Sequence, residues 1–353
     1  TLDRSSAASD VYKRQSLDYT AYHQELDISR LELAMFLEAD RMQNLKITPE
    51  AFAKERDIVF QERKQVVDNN PLSYFGESMR KLLWQDHPYA LSVGGTPEDI
   101  MAITQEDVER FYEQFYAPNN AILVLSGDID VKTAKELAEK YYGKVKSRPV
   151  GKKADFPKLS RRFKADMQMR LEVANAPRLV RTYLAPSFNT DAGQIYALSV
   201  FSKYLGEGEN SKLYKNLVLK QKKALAVSSS YDYADRSYGT FTIAAVPAEG
   251  VSREELEKAL DDAVAEAVSG INAAEVDKTK HKMLAGLVYL KDNPNDAAYI
   301  AGMLAAVGFS AEEIDNGDIH LRDVGYRDVK KAADAILQAP AVSGWLLPLK
   351  EDD

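Results

Sequence analysis

The alternation of apolar and polar positions along the chain predicts helices and strands in both halves. Helices are predicted at 29–44, 49–68, 71–84, 105–114, 131–142, 190–204, 211–222, 253–269, 273–291, 296–306 and 326–337. Strands are predicted at 17–25, 121–127, 179–185, 226–234, 239–246 and 341–347. Start signals sharpen several boundaries. Thr48-Pro49-Glu50 offers a capping hydroxyl, a first-turn proline and an early acid, as a helix N-terminus requires; Thr96-Pro97-Glu98 repeats it. Ser252 with Glu255, Asn272 with Glu275 and Ser310 with Glu313 have capping-box spacing. Asp235-Arg236-Ser237-Tyr238 is a short connection suited to an antiparallel hairpin. Antiparallel strands with helices gathered on one face make an α+β fold rather than a doubly wound one.

One helix-then-strand unit occurs twice. Thr104-Gln105-Glu106-Asp107-Val108 opens a helix that leads through Tyr116 into Ala121-Ile122-Leu123-Val124-Leu125. Tyr326-Arg327-Asp328-Val329 opens another that leads through Leu337 into Ala341-Val342-Ser343-Gly344-Trp345-Leu346-Leu347. Asp107 to Asp328 is an offset of 221 residues. The repeat predicts two tandem, similar domains, each an antiparallel sheet with helices packed on one face. On that arithmetic the first domain is incomplete, short by roughly 70 residues.

The helix at 49–68 carries its own anomaly. Phe52, Val59 and Val66 recur every seventh residue, widened by Ile58 and Phe60, and Glu55 and Glu62 are also seven apart. Seven residues drift only about 20° on an α-helix, so the two carboxylates share a face, with Val59 between them. Carboxylates on an inward face need a cation, a metal or hydrogen-bond donors. A helix edge with surface salt bridges is the alternative reading of the same spacing.

The run Glu55-Arg56-Asp57-Ile58-Val59-Phe60-Gln61-Glu62-Arg63 resembles the downstream zinc-ligand helix of the insulinase or pitrilysin metallopeptidases, in particular their bacterial members akin to the mitochondrial processing peptidase. Ser16 to Tyr22, Leu31 to Leu45, His87-Pro88-Tyr89, Gly95, Asp99-Ile100 and Tyr116-Ala117-Pro118-Asn119-Asn120 continue the similarity in order, from about Ser16 to Pro348. The resemblance implies a zinc-dependent endopeptidase acting on peptides or unfolded segments. It makes Glu62 the third ligand of Zn2+ and Glu55 a second carboxylate supporting the catalytic site. It sets the peptide as an added strand near Ser16 to Tyr22, with Tyr19 on that edge. Aligning Ala224-Leu225-Ala226 with the family's usual Gly-Leu-Ala puts Lys220 where an arginine holds the substrate backbone and Val227 where a tyrosine does. Lysine keeps the charge without the fork of donors, and valine has no donor. Either a second related chain supplies the missing pair, or Tyr231 or Tyr233 replaces the tyrosine within one chain or a homodimer. The periplasm is expected ahead of the cytoplasm.

The family's H-x-x-E-H motif is missing. The four histidines, His23, His87, His281 and His320, are too far apart to build it. The chain therefore reads as a fragment, inactive as it stands, and a non-catalytic scaffold or partner subunit is the alternative. Thr1 to Gln15 lacks periodicity and family similarity and is set aside as a non-native leader. The expected domains are 16–146 and 169–353, joined by a linker at 147–168 that lies within a basic, proline-containing stretch.

Composition narrows the function classes. Hydrophobic residues make up 45% of the 353, enough for real cores, and no run approaches the length of a membrane span. A formal charge of -8 argues against nucleic acid as a partner. The absence of cysteine excludes disulfides, thiol nucleophiles and a thiolate zinc cage. Gly206-Glu207-Gly208-Glu209-Asn210-Ser211 lacks the lysine of a phosphate loop and carries two acids that would repel phosphate.

Overall fold

The computed structural model describes residues 11–152, 155–157, 163–172, 174 and 176–349. In chain order the elements are β1 (Val11–Gln15), β2 (Thr20–Gln24), α1 (Leu31–Asn44), α2 (Pro49–Arg63), α3 (Pro71–Trp84), α4 (Pro97–Ala102), α5 (Gln105–Phe115), α6 (Val131–Tyr141), β3 (Lys164–Leu171) and β4 (Arg178–Ala185). They continue with α7 (Phe188–Gly206), β5 (Ala224–Asp232), β6 (Gly239–Pro247), α8 (Arg253–Ser269), α9 (Ala273–Asp292), α10 (Pro294–Val307), α11 (Ala311–Asp315), α12 (Gly317–Asp323), α13 (Tyr326–Ile336) and β7 (Ala341–Pro348). Lys64–Asp68 and Tyr214–Lys220 are π-helical.

The chain forms two compact units that interleave in sequence. The first takes the described residues of Thr1–Lys64, Val93–Asp155 and Leu290–Ala306; the second takes those of Gln65–Ser92, Phe156–Tyr289 and Val307–Asp353.

The second unit is α+β, built on a five-stranded sheet in the order β3-β7-β4-β6-β5. β3 runs parallel to β7, and every other pair is antiparallel. Side chains alternate across a strand. Leu179 and Tyr183 of β4, Phe241 and Ile243 of β6, and Trp345 and Leu347 of β7 therefore share one face, buried in a core with Leu198, Phe201 and Leu205 of α7, Leu256 and Leu260 of α8 and Val329 and Ile336 of α13. The opposite face of β7 presents Val342, Gly344 and Leu346, and α3 covers it. A Cβ at Gly344 would overlap Met79 Sδ and stand 2.6 Å from Phe75 Cζ, so only glycine lets the helix approach this closely. The Asn70 side chain caps α3, accepting from the Leu72 and Ser73 amides at 3.1 and 3.2 Å.

The first unit contains α1, α2, α4, α5, α6 and most of α10, with a two-stranded antiparallel sheet of β1 and β2. Ser16 shapes the β1–β2 turn: its Oγ accepts from the Asp18 and Tyr19 amides, and its own amide donates to Tyr19 O at 2.9 Å. β1 uses the last five residues of the segment set aside as leader, whose first ten lie outside the described residues. The strand expected at 121–127 is not formed: among the described residues the run belongs to no helix and no sheet. β3 begins inside the expected linker, of which Lys153, Ala154 and 158–162 lie outside the described residues.

Candidate functional site

The start of α2 follows its sequence signal. Thr48 Oγ1 accepts from the Ala51 amide at 3.2 Å, and Pro49 occupies the first turn. Glu55 and Glu62 sit two turns apart on one face, both solvent-exposed, and among the described residues neither has an ion-pair or hydrogen-bond partner. The inward apolar stripe expected beneath them is not formed. Ile58 and Val66 are 40% and 59% exposed, while Phe52, Val59 and Phe60 are half-buried. Two causes are visible. The helix widens into a π turn at Lys64, which carries Val66 off the seven-residue line. Cations also cover two of the rings: the Arg56 guanidinium lies 5.4 Å from the Phe52 centroid and Lys64 Nζ 4.5 Å from that of Phe60.

The buried residue of α2 is Arg63. Its Nη1 donates to Gly95 O at 2.9 Å. Gly94 and Gly95 have φ of 92° and 71°, a conformation that favours glycine, and they lead into the reciprocal Thr96–Asp99 cap of α4. The end of α2, immediately after Glu62, is thereby fixed to a turn.

Of the expected substrate residues, Tyr19 lies at the β1–β2 turn, half-buried, with its hydroxyl 3.3 Å from that of Tyr299. β2 pairs with β1 along one edge; among the described residues no strand lies on the other. Lys220 ends the second π segment, exposed, and belongs to the second unit. Val227 is buried in β5. The Tyr231 hydroxyl donates to Pro186 O at 2.6 Å, and burial pushes its ionisation well above the usual phenol range. A phenol held this way is committed to its own fold.

The sequence reading did not anticipate a cluster around His87. His87, Tyr89, Ser187 and Ser237 are all buried. The Tyr89 amide donates to His87 Nδ1 at 3.0 Å, which leaves the ring hydrogen of the neutral imidazole on Nε2, 2.9 Å from Ser237 Oγ. Ser187 Oγ donates to Ser237 O, and the Ser237 amide donates to the Tyr89 hydroxyl at 3.1 Å. The ring also stacks on Phe156 at 5.3 Å. A histidine beside a serine suggests a nucleophile and its base, but Nε2 here is a donor and cannot take the hydroxyl proton. The pair is a buried clamp that ties the turn after α3 to the β5–β6 connection. The only signal for it was His87-Pro88-Tyr89, read as one piece of a resemblance.

A catalytic zinc centre takes three protein ligands and leaves one position open. This chain offers Glu62 and no histidine pair, and among the described residues no group of three or more His, Cys, Asp or Glu side chains is placed to hold a metal ion. The residues present do not fit a complete zinc site. No helix among the described residues is long and apolar enough to cross a membrane.

Residues 102–283, just over half of the chain, match the family model described as the Peptidase M16 inactive domain. The chain is 28% identical over 296 residues to the zinc protease PqqE of Helicobacter pylori, covering 82% of this chain and 65% of that protein. It is 25% identical over 284 residues to an uncharacterized zinc protease of Mycobacterium leprae, covering 79% and 62%. The chain thus spans a little under two thirds of the length of these relatives. The fold is shared with a protease from Helicobacter pylori (TM-score 0.86, 23% identity, 96% of this chain and 82% of that one). It is also shared with the first half of the periplasmic protease PqqL of Escherichia coli (TM-score 0.75, 14% identity, 96% and 75%). The ordered motifs, the α+β architecture and a family match over more than half its length agree: the chain belongs to the M16 peptidases, the insulinase and pitrilysin family.

Proposed function

We propose that this chain takes part in zinc-dependent cleavage of peptides or unfolded segments. It supplies Glu62 as a metal ligand and Glu55 as a supporting carboxylate to a centre whose histidines come from outside these 353 residues. One observation supports this above the others. The two carboxylates stand exposed and unpaired on one face of a helix whose end is pinned by Arg63, at the positions the family resemblance assigns to them. Tyr19 and Lys220 are the proposed substrate contacts. With Val227 lacking a donor and Tyr231 occupied, the proposal includes a second related chain, as a hetero- or homodimer, that completes the grip on the substrate. The periplasm is the proposed compartment.

The test has two arms. With added zinc and a quenched peptide, the chain alone is expected to show no chelator-sensitive turnover; peptidase-like turnover would overturn the need for outside histidines. In an assembly that carries the histidines, Glu62→Gln is expected to strip metal and activity together. Glu55→Gln is expected to cost about 10–100-fold in activity with a smaller loss of metal. A full equivalent of zinc retained by Glu62→Gln removes the ligand assignment.

A second reading, a non-catalytic scaffold or partner subunit, is favoured by one fact: no three-ligand metal group exists among the described residues. Under it, both glutamine variants leave the activity of the assembly unchanged.

A further inference from the structure

One pocket is built wholly from the second unit, at the end of the sheet where β4 stops and β6 and β7 begin. Leu184, Ala185 and Pro186, then Thr190 and Asp191 at the start of α7, Tyr238 before β6 and Pro340 before β7 line about 180 Å³. Its frame is already fastened. The Leu184 amide donates to Pro340 O at 2.9 Å, Ser187 Oγ to Ser237 O, and the Tyr231 hydroxyl to Pro186 O at 2.6 Å. A preformed site loses little to ordering when it is filled.

The lining is mainly apolar, and its one charge is negative. Leu184 and Ala185 are buried, and Pro186 and Pro340 half-buried. Asp191 interrupts the regular turns of α7, with φ of -161° and ψ of 82°, and is solvent-exposed. Gln194 Nε2 donates to its Oδ2; Oδ1 has no hydrogen-bond partner among the described residues, and neither has the Tyr238 hydroxyl. The surroundings carry the same sign. The Tyr231 phenol, seated on Pro186 O, is kept un-ionised first by burial and then by negative neighbours that include Asp232, Asp191 and Asp235. The adjacent cation, Arg236, lies over the Phe156 ring, 5.4 Å from its centroid.

We propose that this pocket binds a lysine side chain of a peptide or unfolded segment. The four-carbon stem lies against Leu184, Pro186 and Pro340, and the ammonium meets Asp191 and the Tyr238 hydroxyl. An apolar cavity of about 150 Å³ accepts benzene, so this one has room for the stem. With one carboxylate oxygen taken by Gln194, Asp191 offers a single acceptor. That suits the point charge of an ammonium better than the two-pronged fork of a guanidinium. The inference takes the peptide from the function proposed above but not its site, since binding here needs neither zinc nor a second chain.

Amide NMR of the full chain, titrated with Nα-acetyl-lysine amide, is expected to show saturable shifts at Asp191 and Tyr238. The norleucine and Nε-acetylated counterparts keep the stem without the charge and are expected to bind about tenfold more weakly; the arginine counterpart should also bind more weakly than lysine. Asp191→Asn is expected to abolish the preference for the charged ligand, and Tyr238→Phe to reduce it. Far-UV circular dichroism checks that both variants keep the fold. No saturable shift, norleucine or arginine derivatives that bind as well as lysine, or an Asp191→Asn chain that keeps the preference overturns the proposal. Each of those outcomes leaves the Glu62 tests untouched, because they read metal and turnover.

Discussion

Val329, Ala332, Ala333 and Ile336 of α13 are all buried, whereas their counterparts 221 residues earlier, Val108, Phe111, Tyr112 and Phe115 of α5, are half-buried or exposed. Both helices start alike: Asp107 accepts from the Thr104 amide at 3.0 Å and Asp328 from the Gly325 amide at 2.9 Å. The apolar face is equally clear in both sequences. What differs is the surface opposite. α13 packs against a laddered sheet and α7; α5 leads into a run with no ladder. Amphipathic pattern specifies which face a helix offers, and strand pairing elsewhere decides whether that face is buried.

The first unit relies more on polar and aromatic clamps. Tyr22 and Tyr116 hydroxyls meet at 2.8 Å, Tyr112 donates to Arg41 O at 2.8 Å, and the Arg41 guanidinium sits 4.0 Å from the Tyr22 centroid. Arg148 donates to the Tyr116 carbonyl. Net hydrogen bonds contribute about 1 kcal/mol each, against about 1.5–3 kcal/mol for a fully buried large apolar side chain, so the second unit is expected to unfold last.

The sharpest break of this contrast is a matched pair of truncations. Phe241→Ala, in the sheet core, is expected to cost about 3–5 kcal/mol, and Phe111→Ala, on the open face of α5, no more than about 0.5 kcal/mol. Urea unfolding measures both; equal losses would mean the two faces are buried alike. Next come two glycines of the second unit. A Cβ at Gly239 would overlap the Asp232 carbonyl oxygen and lie 3.1 Å from that of Pro186, whereas one at Gly76, within α3, meets nothing within 4 Å. Gly239→Ala is therefore expected to cost about 1–3 kcal/mol, and Gly76→Ala to stabilise by about 0.5–1 kcal/mol. A smaller loss, about 1 kcal/mol, is expected from Tyr112→Phe, which removes the donor to Arg41 O. It should raise hydrogen exchange in α1 and leave the sheet unchanged. The last test is alkaline. Burial pushes Tyr142 in the first unit and Tyr204 in the second up to about 12 from an ordinary value of 10.0. A raised phenol favours the folded state fully below pH 10, and that contribution is lost as the unfolded phenol ionises between pH 10 and 12. Absorbance titration should place both transitions above those of exposed tyrosines.

Local signals were legible in the sequence. The ends of α3 and α8 fall on the predicted 71–84 and 253–269, because Asn70 and the Ser252–Glu255 cap act within one turn. The β5–β6 hairpin was legible for the same reason. Strand pairing was not. Ala121–Leu125 carries more strand propensity than β3, yet β3, with Lys164, Asp166, Gln168 and Arg170, ladders onto β7 from across 177 residues (Lys164↔Ala341). At the candidate site, seven-residue spacing correctly put Glu55 and Glu62 on one face. It could not reveal that Ile58 would be exposed, nor that the π turn at Lys64 would carry Val66 off the seven-residue line. Ser237 lies 150 residues from His87, beyond any local pattern.

The His87 clamp also gives the molecule a built-in spectroscopic gauge. Its neutral ring must keep Nδ1 bare and Nε2 protonated while the Tyr89 amide and Ser237 hydroxyl stay in place, and the two nitrogens of such a ring resonate far apart in nitrogen NMR. His281 holds the opposite arrangement, its Nδ1 donating to Asp277 O at 2.8 Å. In a chain with four histidines, a resonance pair with bare Nδ1 and protonated Nε2 would report directly on whether the turn after α3 is still fastened to the sheet, residue by residue and without an added label.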